Sequence, residues 1–197
     1  MGTHVTGLVL AAGQSRRMGA ANKLLQDWQG KPLLRHVIDA AKESNLSSLC
    51  VVSGHQHQKI ADLVGHDGEC SQNPNFGDGM ASSLVMGIAT IEDSHPSTQG
   101  VMVLLGDMPL VTAQHINQII RAFEGAALDK IVVATGEGQK GNPVLFPARY
   151  FKELGQLSGD RGAKAIITAG GDDVRFVEIG HAALRDFDTP TAFQTED

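Results

Sequence analysis

The chain of 197 residues has little cysteine, few aromatic residues and no apolar run of membrane-spanning length. Its two cysteines, Cys50 and Cys70, are too few for a disulfide scaffold or a four-thiolate zinc site. Cys50 also lies in an apolar segment, residues 49–52, which predicts a buried strand. These observations favour a protein of the reducing cytoplasm.

Charged residues are also sparse, at 19%, and the 22 acidic residues outnumber the 16 basic ones to give a formal net charge of -6. Such a chain has no global positive field that attracts nucleic acid or anionic membranes, so we expect neither as a partner. The length and the hydrophobic content of 42% are typical of one globular domain, residues 1–197.

Apolar segments of strand length alternate with helical patterns along the chain. Continuous apolar strands are typical of a mostly parallel sheet that is covered by helices on both faces, which predicts an α/β, three-layer, Rossmann-like fold. Ligands should then gather at the carboxyl ends of the strands. We predict strands at residues 5–10, 49–52, 101–105, 131–134 and 143–146, and core-facing helical stripes at residues 33–41, 80–91 and 116–123.

A polar loop with several cations follows the first predicted strand. Residues 8–19 read LVLAAGQSRRMG, and Lys23 follows shortly after. Small residues, free backbone N–H groups, Arg16, Arg17 and Lys23 at the end of a strand are suited to hold a polyphosphate. The spacing does not fit the phosphate loop G-x-x-x-x-G-K-[ST].

A second glycine pattern, G-x-G-x-x-G at Gly136, Gly138 and Gly141, resembles a dinucleotide-binding fingerprint. A strand-like segment follows it, so the helix that would carry the pyrophosphate is missing. We therefore interpret these glycines as a hairpin or loop, and an NAD-linked oxidoreductase remains a minor alternative.

The loop resembles the L-A-A-G-x-S-x-R-M-G…K signature of MobA-like nucleotidyltransferases, which attach a nucleotide to molybdopterin. Paired alanines before Gly13 are more similar to the cytidylyl than to the guanylyl enzymes of that group. Four later blocks, at residues 73–83, 106–109, 141–145 and 186–190, resemble the molybdenum-cofactor cytidylyltransferases in the same order. The resemblance covers essentially the whole chain and implies a nucleotidyltransferase fold.

This resemblance implies roles for individual residues. Arg17, Lys23 and Asp107 would be catalytic, with the two cations on the triphosphate. The resemblance implies that the nucleotide is bound at Leu10, Ala11, Ala12, Gly13, Ser15, Gly19, Gly79 and Ser83. Residues 159–162 look like a loop that faces the acceptor, although Asp160 there is equally suited to cap a helix.

Aspartates at strand ends, together with the resemblance, predict a magnesium site. Without the resemblance, Asp107 would be interpreted as a turn residue before Pro109. Asp107 follows the strand at residues 101–105, and Asp186 and Asp188 are two residues apart, so both point to one side of an extended segment while Phe187 packs on the other. Mg²⁺ is commonly held by one or two carboxylates together with substrate phosphates. By contrast, His55 and His57 have no third ligand at a suitable spacing, so we expect no zinc site there.

The resemblance implies Mg²⁺-dependent transfer of CMP from CTP to molybdopterin, with release of pyrophosphate and with a molybdenum hydroxylase as a further expected partner. Two alternatives stay open. A guanylyl or sugar-phosphate nucleotidyltransferase would use the same residues, and a non-catalytic chaperone would bind molybdopterin without turnover. The set of Arg17, Lys23 and Asp107 favours an enzyme, because a pure binder needs no metal aligned on a triphosphate.

Overall fold

The computed structural model describes residues 2–13, 22–159 and 163–188, and nine strands and six helices lie within them. The strands are β1 Val5–Ala11, β2 Asp27–Trp28, β3 Lys31–Pro32, β4 Ser48–Ser53, β5 Glu69–Gln72, β6 Gly100–Leu105, β7 Ile131–Gly136, β8 Gln139–Pro147 and β9 Val174–Glu178. The helices are α1 Leu33–Lys42, α2 His57–Val64, α3 Met80–Ser94, α4 Ala113–Glu124, α5 Phe151–Leu154 and α6 Lys164–Ala169.

Seven strands form one sheet in the order β5-β4-β1-β6-β8-β7-β9, and β2 pairs with β3 beside it. All neighbours in the large sheet are parallel except β8, which runs antiparallel to both β6 and β7. The prediction of a mostly parallel sheet is confirmed.

Apolar side chains on the two faces of the sheet form two separate clusters. One joins Val9 and Val51 to α1, α2 and α4, and the other joins Leu8 and Cys50 to α3, α5 and α6. Successive residues of a strand point to opposite faces, so continuous apolar strands supply both clusters. The three-layer α/β architecture is therefore confirmed.

The five predicted strands and three predicted helices are all present. The segment at Gly136 to Gly141 is a hairpin between β7 and β8, as predicted. Its two loop residues, Glu137 and Gly138, have φ of 52° and 77°. Positive φ at both positions is typical of the tight turns that join antiparallel strands.

One predicted core position is wrong. The stripe at residues 80–91 places Met80 in the core, yet its side chain is 52% exposed. Gly79 lies just before α3 with φ of 96°, so the helix begins only at Met80. As the first residue of α3, Met80 lies outside the buried stripe, which starts at Ala81 and Leu84.

None of the helices in the described residues is both long and apolar enough to cross a lipid bilayer.

Candidate active site

The carboxyl ends of two neighbouring parallel strands form one edge of the site. β1 and β6 pair with Leu10 opposite Leu105, so the residues that follow, Ala12 and Asp107, lie at the same edge. The backbone N–H of Gly106 donates to the carbonyl oxygen of Leu10 at 3.1 Å. A Cβ atom at Gly106 would lie 3.2 Å from that oxygen, so glycine permits the close approach of the two strand ends.

Three carboxylates meet at this edge. One oxygen from each of Asp107, Asp186 and Asp188 lies within 4.8 Å of the others. Phe187, between the last two, is fully buried, and its ring centroid is 5.1 Å from that of Trp28. The backbone N–H of Phe187 also donates to the carbonyl oxygen of Asp107 at 3.0 Å. The buried ring thus anchors the segment, and the flanking aspartates join the cluster as their spacing predicts.

The ammonium group of Lys23 lies between two of these carboxylates. Its Nζ donates to Oδ2 of Asp107 at 2.6 Å and also donates to Oδ1 of Asp188. Lys23 opens a short 3-10 turn that Asn22 caps, since the Asn22 side-chain oxygen accepts from the backbone N–H of Leu24 at 3.1 Å. The structure therefore brings Lys23 to the aspartates, while its predicted contact with phosphates stays a prediction.

Charge in this cluster is predominantly negative, with one ammonium group facing three carboxylates. The pKa of Asp186 is raised by burial and then by the charges of Asp188 and Asp107, which Lys23 offsets in part. Burial alone would lower the pKa of Lys23, but the charges and hydrogen bonds of Asp107 and Asp188 outweigh it, so this pKa is raised. Closely spaced carboxylate oxygens are the donor set that suits Mg²⁺ or Mn²⁺, so the residues fit a divalent cation.

A cavity of about 370 Å³ adjoins the aspartates. Most of the predicted nucleotide-binding residues that the structure describes line it, and the exception is Ala11, whose side chain is buried in the core. Arg17, Ser15 and Gly19 lie outside the described residues, as does Asp160. The lining residues are Leu10, Ala12, Gly13, Lys23, Leu24, Phe76, Gly79, Met80, Ser83, Leu105, Asp107 and Asp188.

Sequence reasoning did not single out Phe76 as a site residue. A Cβ atom at Gly54, just after β4, would lie 2.5 Å from the Cβ of Phe76, so the two segments are in direct contact. Phe76 belongs to the block at residues 73–83 that resembles the cytidylyltransferases. Its place in this block is the sequence signal that could have identified it as a site residue. Met80 was assigned to the core by periodicity alone, and it also lines the cavity.

The two histidines after β4 have other contacts. Nδ1 of His57 lies 2.6 Å from the hydroxyl oxygen of the buried Ser53, and the ring centroid of His55 lies 6.4 Å from that of Phe76. Across the part of the chain that the structure describes, the three aspartates are the one group of three or more potential metal ligands.

Comparison with known proteins agrees with this fold, which is that of an α/β nucleotidyltransferase. The profile of the MobA-like NTP transferase domain matches residues 7–174, most of the chain. The chain belongs to the MobA-like NTP transferase family.

Two relatives illustrate its similarity to known sequences. The bifunctional protein GlmU of Janthinobacterium sp. is 32% identical over 154 residues, which cover 77% of this chain and 31% of that protein. The chain thus spans about a third of the GlmU length. The purine catabolism protein PucB of Bacillus subtilis is 25% identical over 208 residues and matches 96% of this chain and 94% of its own length.

Solved structures show the same architecture. Rv0371c of Mycobacterium tuberculosis H37Rv has a TM-score of 0.82 and 26% identity, with 98% of this chain and 97% of that chain covered. A second structure of that protein is a complex with manganese, with a TM-score of 0.78 and 25% identity over 98% of this chain and 97% of that chain.

Proposed function

We propose that the protein transfers CMP from CTP to molybdopterin in a Mg²⁺-dependent reaction that releases pyrophosphate. The observation that carries this proposal is the cluster of Asp107, Asp186, Asp188 and Lys23 beside a cavity that also includes Ala12. The sequence blocks that resemble molybdenum-cofactor cytidylyltransferases support the choice of CTP and molybdopterin. The manganese complex of Rv0371c supports the use of a divalent cation.

The three aspartates would hold the metal, which would neutralise charge on the α-phosphate and the departing pyrophosphate. Arg17 and Lys23 would contact the β- and γ-phosphates, because fixed cations stabilise charge that grows on the leaving group. Alignment of the reacting atoms is the other main contribution of the protein.

The acceptor in this proposal is a phosphate monoester, so it is already anionic and requires no strong general base. One of its oxygens attacks the α-phosphorus of CTP and forms a new P–O bond. The bond from the α-phosphorus to the bridging oxygen breaks, and pyrophosphate leaves with that electron pair. The acidic edge of the cavity, formed by Asp107, Asp186 and Asp188, would lie next to the reacting phosphates.

The remaining lining residues favour a nucleoside in the cavity. Ala12, Gly13 and Gly79 are small, which allows a flat base and a ribose to approach the backbone. Phe76 offers an aromatic surface at the same cavity. A volume of about 370 Å³ lies within the range of small-molecule sites.

We further infer that the protein acts in the cytoplasm as a single domain and that a molybdenum hydroxylase receives the product. The presence of only two cysteines, Cys50 and Cys70, indicates a reducing compartment and supports the cytoplasmic location. The match to PucB, which covers 96% of this chain and 94% of that protein, supports one domain over residues 1–197.

The experiment compares CTP, GTP, ATP and UTP, each with Mg²⁺ and molybdopterin, by the rate of pyrophosphate release. We expect CTP to be the best substrate. A shallow pocket excludes purines by shape, whereas separation from UTP requires polar groups matched to the 4-amino edge, and leaving such groups unpaired costs about 1–3 kcal/mol each.

Each alternative has its own outcome in this assay. Faster pyrophosphate release with GTP would identify GTP rather than CTP as the nucleotide substrate. Pyrophosphate release only with a sugar 1-phosphate would identify that compound rather than molybdopterin as the acceptor. If no nucleotide yields pyrophosphate while molybdopterin still binds, the protein is a carrier of molybdopterin and the proposal fails.

A further inference from the structure

Asn73, the residue after β5, connects three segments around the cavity. It is 1% exposed, and its backbone N–H donates to the carbonyl oxygen of Ser53 at 2.7 Å. Its side-chain oxygen accepts from the backbone N–H of Asn75 at 2.9 Å. Its amide nitrogen donates to the hydroxyl oxygens of Ser82 at 2.9 Å and Ser83 at 3.0 Å.

The orientation of this amide follows from its partners. The backbone N–H of Asn75 can only donate, so the group that faces it must be the carbonyl oxygen of the Asn73 side chain. The NH₂ group therefore faces the two serines, and each of its hydrogens has one hydroxyl oxygen as acceptor.

The two serines then differ in where their own protons go. The hydroxyl of Ser82 donates within the segment, to the carbonyl oxygens of Gly79 at 2.8 Å or Asn75 at 3.0 Å. Ser83 is 4% exposed and lines the cavity. Among the described residues its proton has no protein acceptor, although its oxygen already accepts from Asn73.

We propose that Asn73 is a positioning residue that fixes the Ser83 hydroxyl as a hydrogen-bond donor to the nucleotide, where it recognises an acceptor atom of the base. This inference rests on the proposed function. A free hydroxyl can donate or accept, so by itself it distinguishes poorly between acceptor and donor atoms of a ligand. The NH₂ group of Asn73 occupies one lone pair of the Ser83 oxygen, whereas the Ser83 proton has no acceptor among the described residues. This arrangement favours a carbonyl oxygen or an unprotonated ring nitrogen as the partner of Ser83 over an amino group.

The test is a double-mutant cycle with Asn73→Asp, Ser83→Ala and the double variant. The first substitution keeps an acceptor for the N–H of Asn75 but presents a second acceptor to Ser83, which then donates back to residue 73. Dissociation constants are measured by calorimetry with Mg²⁺ and either CTP or GTP, whichever wild type binds more tightly. We expect each single variant to raise the dissociation constant about tenfold and the double variant to equal Ser83→Ala.

Ser82→Ala is the matched control, because Ser82 accepts from the same amide one residue away. We expect it to leave the dissociation constant within twofold of wild type. As a second measurement, each variant should weaken binding of the nucleoside monophosphate by the same factor as binding of the triphosphate, since the contact is on the base. Melting temperatures check folding, and Asn73→Ala replaces Asn73→Asp in the cycle if the latter does not fold.

The outcomes separate this inference from the proposed function. Additive effects of Asn73→Asp and Ser83→Ala, or an equal loss in Ser82→Ala, would overturn the inference and leave the proposed function standing. Failure of wild type to bind either triphosphate would overturn both.

Discussion

Asp107 belongs to the carboxylate cluster and also accepts a hydrogen bond from Lys23. We expect Asp107→Asn to fold normally and to reduce pyrophosphate release from CTP and molybdopterin about a thousandfold. The reason is that a metal at such a cluster supplies several kcal/mol of charge stabilisation in the transition state.

Asp93→Asn, an exposed position near the end of α3, serves as the control and should retain wild-type activity. Both variants are compared by steady-state rate and by melting temperature. A rate for Asp107→Asn within tenfold of wild type would exclude Asp107 as a metal ligand in the reaction.

Lys23 contacts two of the carboxylates that we assign to the metal, so the ammonium and a divalent cation compete for them. We expect Lys23→Ala to bind Mn²⁺ about tenfold more tightly when no nucleotide is present, because one positive charge has left the cluster. Titration of Mn²⁺ followed by electron paramagnetic resonance measures this affinity.

Lys31→Ala provides the comparison, since Lys31 pairs with Asp39 on α1. It should leave Mn²⁺ affinity unchanged. Equal or weaker Mn²⁺ binding by Lys23→Ala would show that Lys23 and the metal use different carboxylates.

At the scale of residues, the sequence predicted the acidic half of the site better than the cavity wall. Asp107 could be found because it follows an apolar strand within a block that resembles the cytidylyltransferases, and Asp186 and Asp188 because they flank an apolar residue. The links from Asn73 to Ser83 could not be found, since they are side-chain hydrogen bonds between segments that only the folded chain brings together.

Among the elements, α3 packs unusually closely on β1. A Cβ atom at Gly87 would lie 2.4 Å and 2.7 Å from the two methyl carbons of Leu8, whose side chain is fully buried. We expect Gly87→Ala to lower the free energy of unfolding by about 1–2 kcal/mol, because overpacking exceeds the gain in helix propensity. Urea denaturation measures the change.

A second variant tests whether contact with Leu8 is the cause of this destabilisation. In a Leu8→Ala background the added methyl group has room, so Gly87→Ala should become neutral or stabilising there. A stabilising effect in the wild-type background would show that α3 shifts freely on the sheet.

Glu178, at the end of β9, holds the β7–β8 hairpin against that strand. Its pKa is lowered, first by the hydroxyl of Thr135 and further by backbone N–H groups that include those of Glu137 and Gly180. A lowered pKa in the folded state stabilises the protein above the unfolded value of about 4.3, and this contribution disappears as the pH falls through the folded value.

We therefore expect Glu178→Gln to lower the melting temperature at pH 7 and to approach wild type below pH 4. Glu137→Gln, at an exposed position of the same hairpin, removes the same charge and should have little effect at either pH. A deficit of Glu178→Gln that persists unchanged at pH 3 would contradict this assignment.

The elements that escaped prediction share a physical reason. β5 reads ECSQ and β9 reads VRFVE, and both are edge strands with partly exposed side chains, so neither has a continuous apolar run. In α2 only Ile60 and Val64 are buried, too few for a clear helical stripe. The central strands were predicted because burial on both faces requires apolar residues throughout.

For the whole molecule, ligand binding should appear as thermal stabilisation. At a CTP concentration of 100 times the dissociation constant, binding adds about 2.7 kcal/mol to the free energy of unfolding. For a chain of this length that corresponds to a rise in melting temperature of roughly 5–10 °C. We expect this rise with CTP and Mg²⁺ together and a much smaller one when EDTA removes the metal.

Asp107→Asn should reduce the part of the thermal shift that depends on Mg²⁺. Thermal denaturation with CTP alone, Mg²⁺ alone and both ligands separates the contributions. A full shift in the presence of EDTA would mean that the cavity binds the nucleotide without the aspartates.

The acidic edge combines residues from distant parts of the chain, with Lys23 near one end and the segment anchored by Phe187 near the other. A ribosome synthesises these segments in order, so most of the sheet and Asp107 emerge before Asp186 and Asp188 exist. A nascent chain can therefore form part of the cavity but has only one of the three carboxylates. Under the proposed function, a partly synthesised chain cannot consume CTP, and the activity begins only once the segment around Phe187 has docked beside Trp28.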